Sequence, residues 1–252
     1  MPRVARIKSR SGLYHVVFRG INKQTVFYDD EDKEVFLNRL KLAKERYGFE
    51  LYAFCFMNNH VHLLVKEKEA DLGIVMNQLL TSYVFWYNSK YERIGSLFQS
   101  RYKSETIEDE AYLLCAARYI HQNPVKARIV KDVSEYKWSS YGAYLHDKKS
   151  IIDKELILAI FQSREQYIEF MNMPEANDFI EPTEQYKISD DKLIKEIKKR
   201  LKMQEISELY ELSKADIFKR LRRILQIEGT NPTQVARVCG IPRGIIRGML
   251  RK

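Results

Sequence analysis

The segment FELYAFCFMNNHVHLLVK, residues 49–66, predicts a β-hairpin. Residues 49–57 are almost entirely aromatic or aliphatic, the Asn-Asn pair that follows is a turn signal, and residues 60–66 predict a second strand. Side chains two positions apart in a strand share a face, so we expect His60 and His62 to lie side by side. The hairpin therefore presents two imidazoles on one face of a sheet.

Strand and helix patterns alternate on both sides of this hairpin. We expect the last predicted helix of this region to end near Asn123, because Pro124 disfavours helical backbone in the residue before it. The order of elements predicts an α+β fold, in which helices pack on an antiparallel sheet. The flanking elements are a strand at 14–19, a helix from Asp29 or Asp30 to Tyr47, a helix at about 71–91, an extended segment at 97–107, a helix opened by Asp109 and a helical region at 134–172.

The composition excludes several classes of protein. The chain has 252 residues, of which 45% are hydrophobic and 31% charged, and no run of about 18 apolar residues, so it is neither disordered nor membrane-spanning. The three cysteines, Cys55, Cys115 and Cys239, form no C-x-x-C pair, and we expect each to pack as a small apolar residue in a reducing compartment. The basic N-terminal segment fails as a signal peptide, so we expect a cytoplasmic protein associated with the nucleoid.

The net charge of +9 is distributed unevenly along the chain. Residues 1–150 carry 24 basic and 18 acidic side chains, residues 151–200 carry 8 and 11, and residues 201–252 carry 11 and 5. DNA or RNA is the natural partner of two basic regions, because Lys and Arg that neutralise phosphates release counterions. The charge alone does not identify the ligand, since many basic proteins bind nothing specific.

The helix before Pro124 carries a second group of polar side chains. Tyr119 and Asn123 are four residues apart and therefore neighbours on one helix face, where a phenol and an amide oxygen can converge on whatever the histidine pair holds. Plainer interpretations stay open: His60 and His62 as partly exposed histidines, Tyr119 as one of 16 tyrosines in a core, and Asn123 as the end of the helix.

Together, the HVH strand and the helical motif Y-I-H-x-N-P-V resemble the single-tyrosine transposases of the HUH superfamily, and most of all the transposases associated with repetitive extragenic palindromes. The resemblance covers about residues 8–172. It also includes GLYHVVFRG at 12–20, LFQSRYKS at 97–104 and WSSYGAYL at 138–145.

This resemblance implies a ferredoxin-like catalytic domain with a divalent ion, Mg²⁺ or Mn²⁺, held by His60, His62 and Asn123. It implies Tyr119 as the nucleophile, which leaves a 5′-phosphotyrosine on single-stranded or hairpin DNA, including palindromic repeats. Some relatives have Gln where this chain has Asn123. A monomer and a homodimer are both compatible with the family.

Basic side chains near these motifs are candidates for phosphate contacts. Arg101 and Lys103 alternate in the extended segment, so we expect them on one sheet face. Lys126 and Arg128 follow the predicted nucleophile closely. The alternative for each pair is a solvated surface, and Phe98 and Tyr102, which could stack on bases, are expected in the core.

The C-terminal part of the chain predicts a separate helical domain. We expect the catalytic domain at 1–172, a linker rich in acids and containing two prolines at 173–188, and an all-helical domain at 189–252. The end of this domain resembles a helix-turn-helix DNA-binding module, with a turn at Gly240 and a second helix from Pro242. That helix carries Arg243, Arg247 and Arg251 on one basic face, and a basic bundle docked on the catalytic domain is the alternative.

These patterns predict a metal-dependent DNA nickase and strand transferase with an appended DNA-binding domain. The main alternative is a non-catalytic regulator that uses only the C-terminal module. That alternative gives no reason to retain two histidines, a tyrosine and an amide on converging faces. An RNA-processing enzyme is a third class that the composition does not exclude.

Overall fold

The computed structural model describes residues 6–99, 101–146, 150–174, 179–180, 190–227, 230, 232–242 and 244–246. The chain divides into two compact units, Met1–Pro182 and Thr183–Lys252. Most of the predicted linker at 173–188 lies outside the described residues, so its boundaries stay a prediction.

A four-stranded antiparallel sheet forms the centre of the first unit. Its strands are β1 (Leu13–Arg19), β2 (Glu50–Met57), β3 (His60–Lys66) and β4 (Lys103–Ile107). The strand order is β2-β3-β1-β4, and each neighbouring pair is antiparallel. The predicted hairpin is therefore confirmed, and the sheet with its helices confirms the α+β class.

The helices of the first unit cover both faces of the sheet. They are α1 (Asp30–Tyr47), α2 (Leu72–Lys90), α3 (Glu110–Lys126), α4 (Tyr141–Leu145), α5 (Glu155–Leu158) and α6 (Arg164–Asn172). Aspartate caps hold three of them, since the carboxylates of Asp29, Asp71 and Asp109 accept backbone N–H bonds at the starts of α1, α2 and α3. Gly48 ends α1 with a φ of 67°, a left-handed conformation that favours glycine.

The two faces of the sheet differ in chemistry because side chains alternate along each strand. One face carries aromatic residues such as Phe18 and Phe56, which contact Phe36 of α1 at ring-centroid distances of 5.8 and 5.1 Å. The opposite face carries His15, Val17, His60 and His62, and α3 packs on this side. The apolar face anchors the sheet, whereas the histidine face is available for chemistry.

The expectation that α3 ends near Asn123 is wrong. The helix includes Pro124 and continues to Lys126. Pro124 stands in the last turn, where its missing N–H removes a single helical bond, and the chain beyond it still closes through N–H bonds from Ala127 to Asn123 O and from Ile129 to Pro124 O, both 2.9 Å.

Two further segments differ from the prediction. Only Lys103–Ile107 of the extended segment is a strand, so Arg101 lies before the sheet and not on its face. The region 134–172 is interrupted by loops because part of it runs along the outer edge of β2, where Phe56 N–H donates to Trp138 O and Ser140 N–H donates to Phe54 O. This segment covers the edge of β2, and because its backbone bonds to the strand it is not helical there.

The second unit is built from helices in its described part. They are α7 (Asp190–Leu201), α8 (Lys214–Leu225) and α9 (Pro232–Val238), which share an apolar core of their own. Ser213 caps α8 by accepting the Asp216 N–H, and Gly240 has a φ of 63° at the predicted turn. Arg243, Arg247 and Arg251 lie outside the described residues.

Two remaining expectations concern compartments. In the described part of the chain, the structure has no helix that is both long and apolar enough to span a bilayer. Cys55 and Cys239 are buried thiols, which agrees with their predicted packing as small apolar residues.

Candidate active site

The histidine pair lies on β3 where the sheet faces α3. The rings of His60 and His62 have centroids 5.0 Å apart, so the two side chains share a face as predicted. The His62 side chain is fully buried, and His60 is half-buried. The ring of Tyr119 on α3 lies 5.6 Å from that of His62. The fold therefore brings together a histidine pair and a tyrosine that are 57 residues apart along the chain.

Each of the two histidines is held through Nδ1. The distance from His60 Nδ1 to Asn59 Oδ1 is 2.6 Å, and that from His62 Nδ1 to His15 Nε2 is 2.9 Å. The Nε2 atoms of both rings are buried and have no hydrogen-bond partner among the described residues. Buried polar atoms without partners are rare in folded proteins. Two such nitrogens on one face fit a metal ion, which imidazole commonly binds through Nε2.

The electrostatic surroundings keep both rings neutral. Burial, followed by the charge of Arg19, lowers the pKa of His60 to about 4. Burial, with smaller effects of His15, His60 and Lys126, lowers the pKa of His62 well below its ordinary value. Neutral imidazole is the form that binds a metal ion, so the pair is in its ligand form at neutral pH.

Tyr119 is enclosed by aromatic and basic side chains. Its side chain is 3% exposed, and its ring lies 5.7 Å from the ring of His15. The Nζ atom of Lys126, one of the predicted phosphate contacts, is 4.4 Å from the Tyr119 ring centroid, within the range of a cation–π interaction. Phe179, from the segment predicted to be linker, packs on the same tyrosine at 4.7 Å.

Asn123 lies on α3 one turn beyond Tyr119. Its side chain is buried, and its amide nitrogen Nδ2 donates to the backbone carbonyl of Tyr119 at 2.9 Å. This bond uses the amide nitrogen, which leaves the amide oxygen as the atom suited to a metal ion. No group of three or more His, Cys, Asp or Glu side chains is arranged for a metal within the described part of the chain, so a site here depends on an amide ligand.

Sequence reasoning missed two polar residues behind the histidine pair. His15 of β1 is fully buried, and its Nδ1 lies 3.6 Å from Oε2 of Glu105 on β4. Burial raises the pKa of Glu105, but the nearby His15 ring, the Tyr112 hydroxyl and the Ile180 backbone N–H outweigh this effect and lower it. A signal was present, because strand alternation places His15 on the face opposite Tyr14 and Val16, where a buried histidine needs a partner.

The same environment explains the role of Tyr112, which by helix spacing is the closest rival of Tyr119. The Tyr112 hydroxyl donates to Glu105 Oε1 at 2.7 Å. Burial and Glu105 raise the pKa of Tyr112. Its oxygen is thereby engaged by Glu105, whereas the ring of Tyr119 packs directly on that of His62.

The other predicted contacts occupy two places. Lys126 and Arg128 are exposed at the end of α3, and the amine of Lys126 lies over the Tyr119 ring. Arg101 and Lys103 are also exposed, and both line a cavity of about 590 Å³ together with Arg6. Phe98 and Tyr102 are buried, which confirms their placement in the core.

Comparisons with known proteins agree with this fold. Residues 8–123 match the family model of IS200-like transposases. A protein of Haemophilus influenzae assigned to the REP-associated tyrosine transposases is 27% identical over 152 residues, an alignment that covers 56% of this chain and 86% of that protein. A solved structure of a REP-associated tyrosine transposase bound to a REP hairpin covers 61% of this chain and 94% of its own, with a TM-score of 0.51 and 17% identity.

The fold and the match at 8–123 define the class that this part of the chain resembles, the IS200-like transposases. Within that class it is similar to the REP-associated tyrosine transposases, and the solved structure shares its fold.

Proposed function

We propose that the chain nicks and rejoins single-stranded or hairpin DNA through a covalent bond to Tyr119. The observation that carries this proposal is the pair of buried Nε2 atoms on His60 and His62, beside Tyr119, for which the described part of the chain supplies no hydrogen-bond partner. The family match supports a transposase role, and a transposase that binds a metal ion would use both Nε2 atoms as ligands.

A divalent ion, Mg²⁺ or Mn²⁺, fits the residues at this site. His60 and His62 would hold it through Nε2, and Asn123 through its amide oxygen. When bound, the ion polarises the scissile phosphate and offsets the negative charge that develops during attack. Mg²⁺ and Mn²⁺ are chosen from the reaction class, because the imidazole nitrogens alone also suit other divalent ions.

The chemistry of the chain's own residues is a reversible transfer. The Tyr119 oxygen forms a bond to phosphorus, and the bond from phosphorus to the 3′ oxygen of the preceding nucleotide breaks. The phenolic proton passes to solvent water, and the departing 3′ oxygen takes a proton from solvent to become a 3′-hydroxyl. The phosphotyrosine retains the energy of the phosphodiester, so another 3′-hydroxyl can reverse the step without ATP. Lys126, 4.4 Å from the ring, favours the negative charge on the attacking oxygen.

The substrate proposed is single-stranded or hairpin DNA, including palindromic repeats. Support comes from the solved relative, which binds a REP hairpin. Arg101, Lys103, Lys126 and Arg128 are proposed as phosphate contacts, because all four are exposed and basic near the site or its adjoining cavity. A cytoplasmic location at the nucleoid follows from a DNA substrate.

The second unit is proposed to bind duplex DNA. Its helix α8 has the sequence KADIFKRLRRIL, and Lys219, Arg222 and Arg223 are exposed on it. Together with Arg243, Arg247 and Arg251, this gives the unit a large excess of basic side chains. A basic excess of this kind is the electrostatic feature expected of a domain that binds nucleic acid.

The test is covalent capture. Labelled hairpin oligonucleotides are incubated with the full chain and Mn²⁺, and the products are separated under denaturing conditions. A protein–DNA adduct that requires the metal and appears with DNA supports the proposal. Absence of an adduct together with tight hairpin binding would favour a non-catalytic regulator. An adduct or cleavage with the RNA version alone would favour the RNA-processing alternative.

A further inference from the structure

A line of polar side chains runs through the sheet to the histidine pair. Tyr112 donates to Glu105 Oε1 at 2.7 Å, and Glu105 Oε2 lies 3.6 Å from His15 Nδ1. His15 Nε2 is then 2.9 Å from His62 Nδ1. Three different elements supply these residues, with Glu105 on β4, His15 on β1 and His62 on β3. The line ends at His62 Nε2, which has no hydrogen-bond partner among the described residues.

The carboxylate of Glu105 determines the direction of the hydrogen bond between His15 and His62. At 3.6 Å the contact between Glu105 and His15 is electrostatic and longer than a hydrogen bond, and the negative charge of the carboxylate favours a proton on the His15 nitrogen that faces it. A neutral His15 then has a lone pair on Nε2, and its full burial favours the neutral ring. Between His15 and His62, the donor must therefore be Nδ1 of His62. Its single proton is placed there, and the lone pair is left on Nε2.

A hydrogen bond in the opposite direction, from His15 to His62, would have a different consequence. A proton on His15 Nε2 would be donated to His62 Nδ1, and the neutral His62 would then carry its own proton on Nε2. That proton would occupy the position of a metal ion. The carboxylate of Glu105 thus decides, through one intervening ring, which nitrogen of His62 can act as a ligand.

The neighbouring histidine has the same arrangement by a shorter route. His60 Nδ1 lies 2.6 Å from Oδ1 of Asn59, an amide oxygen that accepts a hydrogen bond. His60 Nε2 is likewise buried without a hydrogen-bond partner among the described residues. Both rings are therefore arranged with Nδ1 as donor and Nε2 as the available atom. Metal-binding histidines typically have their second nitrogen bonded in this way.

We propose that His15 and Glu105 are positioning residues that hold His62 in the form with its proton on Nδ1 and so prepare Nε2 for a divalent ion. This inference rests on the metal site of the proposed function. Neither residue touches the ion or the DNA. Their contribution is to the orientation and protonation of a ligand.

The first measurement needs no metal. Long-range ¹H–¹⁵N spectra of the ¹⁵N-labelled, metal-free full chain report which nitrogen of each histidine carries the proton. We expect His62 to carry it on Nδ1. In His15→Phe and in Glu105→Ala we expect it on Nε2. A wild-type His62 with its proton on Nε2, or no change in either variant, would overturn the inference.

The second measurement is Mn²⁺ affinity by calorimetry on the same proteins. We expect His15→Phe and Glu105→Ala to bind Mn²⁺ about 10–100-fold more weakly, as for other residues that orient metal ligands. Tyr112→Phe is the matched control, because it removes one bond to Glu105 and leaves the acceptor in place, so its affinity should stay within about twofold. If His15→Phe fails to fold, Glu105→Ala decides, since the Glu105 side chain is 25% exposed.

The role of His15 and Glu105 and the metal site itself are tested by different outcomes. Wild-type affinity in both variants, with normal binding by the wild type, overturns the role of His15 and Glu105 and leaves the proposed function intact. A wild-type chain that binds no Mn²⁺ overturns the metal site, and the inference falls with it.

Discussion

The side-chain amide of Asn123 donates a hydrogen bond to the backbone carbonyl of Tyr119, with 2.9 Å between the nitrogen and the oxygen. The two residues are thus linked within one turn of α3. The bond fixes the amide with its nitrogen toward the helix, so the amide oxygen is the atom that remains for a ligand. A helix turn that carries the proposed nucleophile thereby also orients the proposed third metal ligand.

Removing this amide should weaken metal binding. In Asn123→Ala an oxygen ligand is lost, and we expect Mn²⁺ affinity to fall about tenfold or more, or about 1.4 kcal/mol. Asn123→Asp retains an oxygen and adds a negative charge, so its affinity should equal or exceed that of the wild type. Calorimetric titration of the purified variants checks both. Equal affinity of Asn123→Ala and wild type would remove Asn123 from the ligand set.

The stability of the metal-free chain should depend on pH through its buried histidines. The pKa of His60 is lowered to about 4 and that of His121 to about 3, both chiefly by burial, whereas an unfolded histidine titrates near 6.5. Between about pH 6.5 and 4 the unfolded chain binds more protons than the folded chain, so the free energy of unfolding falls as the pH falls. Urea unfolding at pH 7.5, 6, 5 and 4.5 should show this loss.

A variant tests the source of this pH dependence. His121 lies outside the candidate site and contacts Ser140 Oγ at 2.8 Å. His121→Gln can retain a hydrogen bond and cannot titrate, so its stability should change less between pH 6.5 and 4.5 than that of the wild type. An unchanged slope would mean that other groups cause the acid sensitivity.

Lys126 should act on the reaction and on phosphate binding, and much less on the metal. Lys126→Met removes the charge 4.4 Å from the Tyr119 ring and retains an unbranched side chain. We expect slower adduct formation, and a dependence of log affinity on log salt that is shallower by about 0.7 for single-stranded DNA, the amount expected for one lost phosphate contact. Lys131→Met, at an exposed lysine away from the site, is the control and should leave both unchanged. Identical salt slopes for Lys126→Met and wild type would argue against the phosphate contact.

The basic end of the chain should bind duplex DNA in a salt-dependent manner. We expect the full chain with Arg243, Arg247 and Arg251 replaced by alanine to bind duplex DNA more weakly, with a flatter salt slope, because each lost contact removes a counterion-release contribution. Covalent capture of a minimal hairpin should continue in this variant. If duplex affinity is unchanged, the C-terminal residues serve another purpose, such as docking.

Local patterns predicted most of the first unit. The alternation along β3 placed His60 and His62 on one face, and the four-residue spacing placed Tyr119 and Asn123 on one turn, because both relationships depend only on the repeat of the element. The end of α3 was misjudged because the proline rule is a local preference. Packing of the buried Pro124 and the hydrogen bonds beyond it overrode that preference.

The residues behind the site could not be predicted in the same way. His15 and Glu105 meet His62 only through the pairing of β1 with β3 and β4, and such pairing joins residues 47 and 90 positions apart in sequence. Phe179 was assigned to a linker because its neighbours are acids and prolines, yet its ring packs on Tyr119 and Tyr112. Long-range contacts of this kind carry no periodic signal.

The most direct test of the account is covalent capture with Tyr119→Phe. The substitution removes one hydroxyl, so the variant should fold, bind Mn²⁺ and bind the hairpin with wild-type affinity, and it should form no adduct. Tyr112→Phe, seven residues earlier on α3, is the control and should still form the adduct, because its hydroxyl contacts Glu105. Adduct formation by Tyr119→Phe, with its loss in Tyr112→Phe, would contradict the assignment of Tyr119 as the nucleophile.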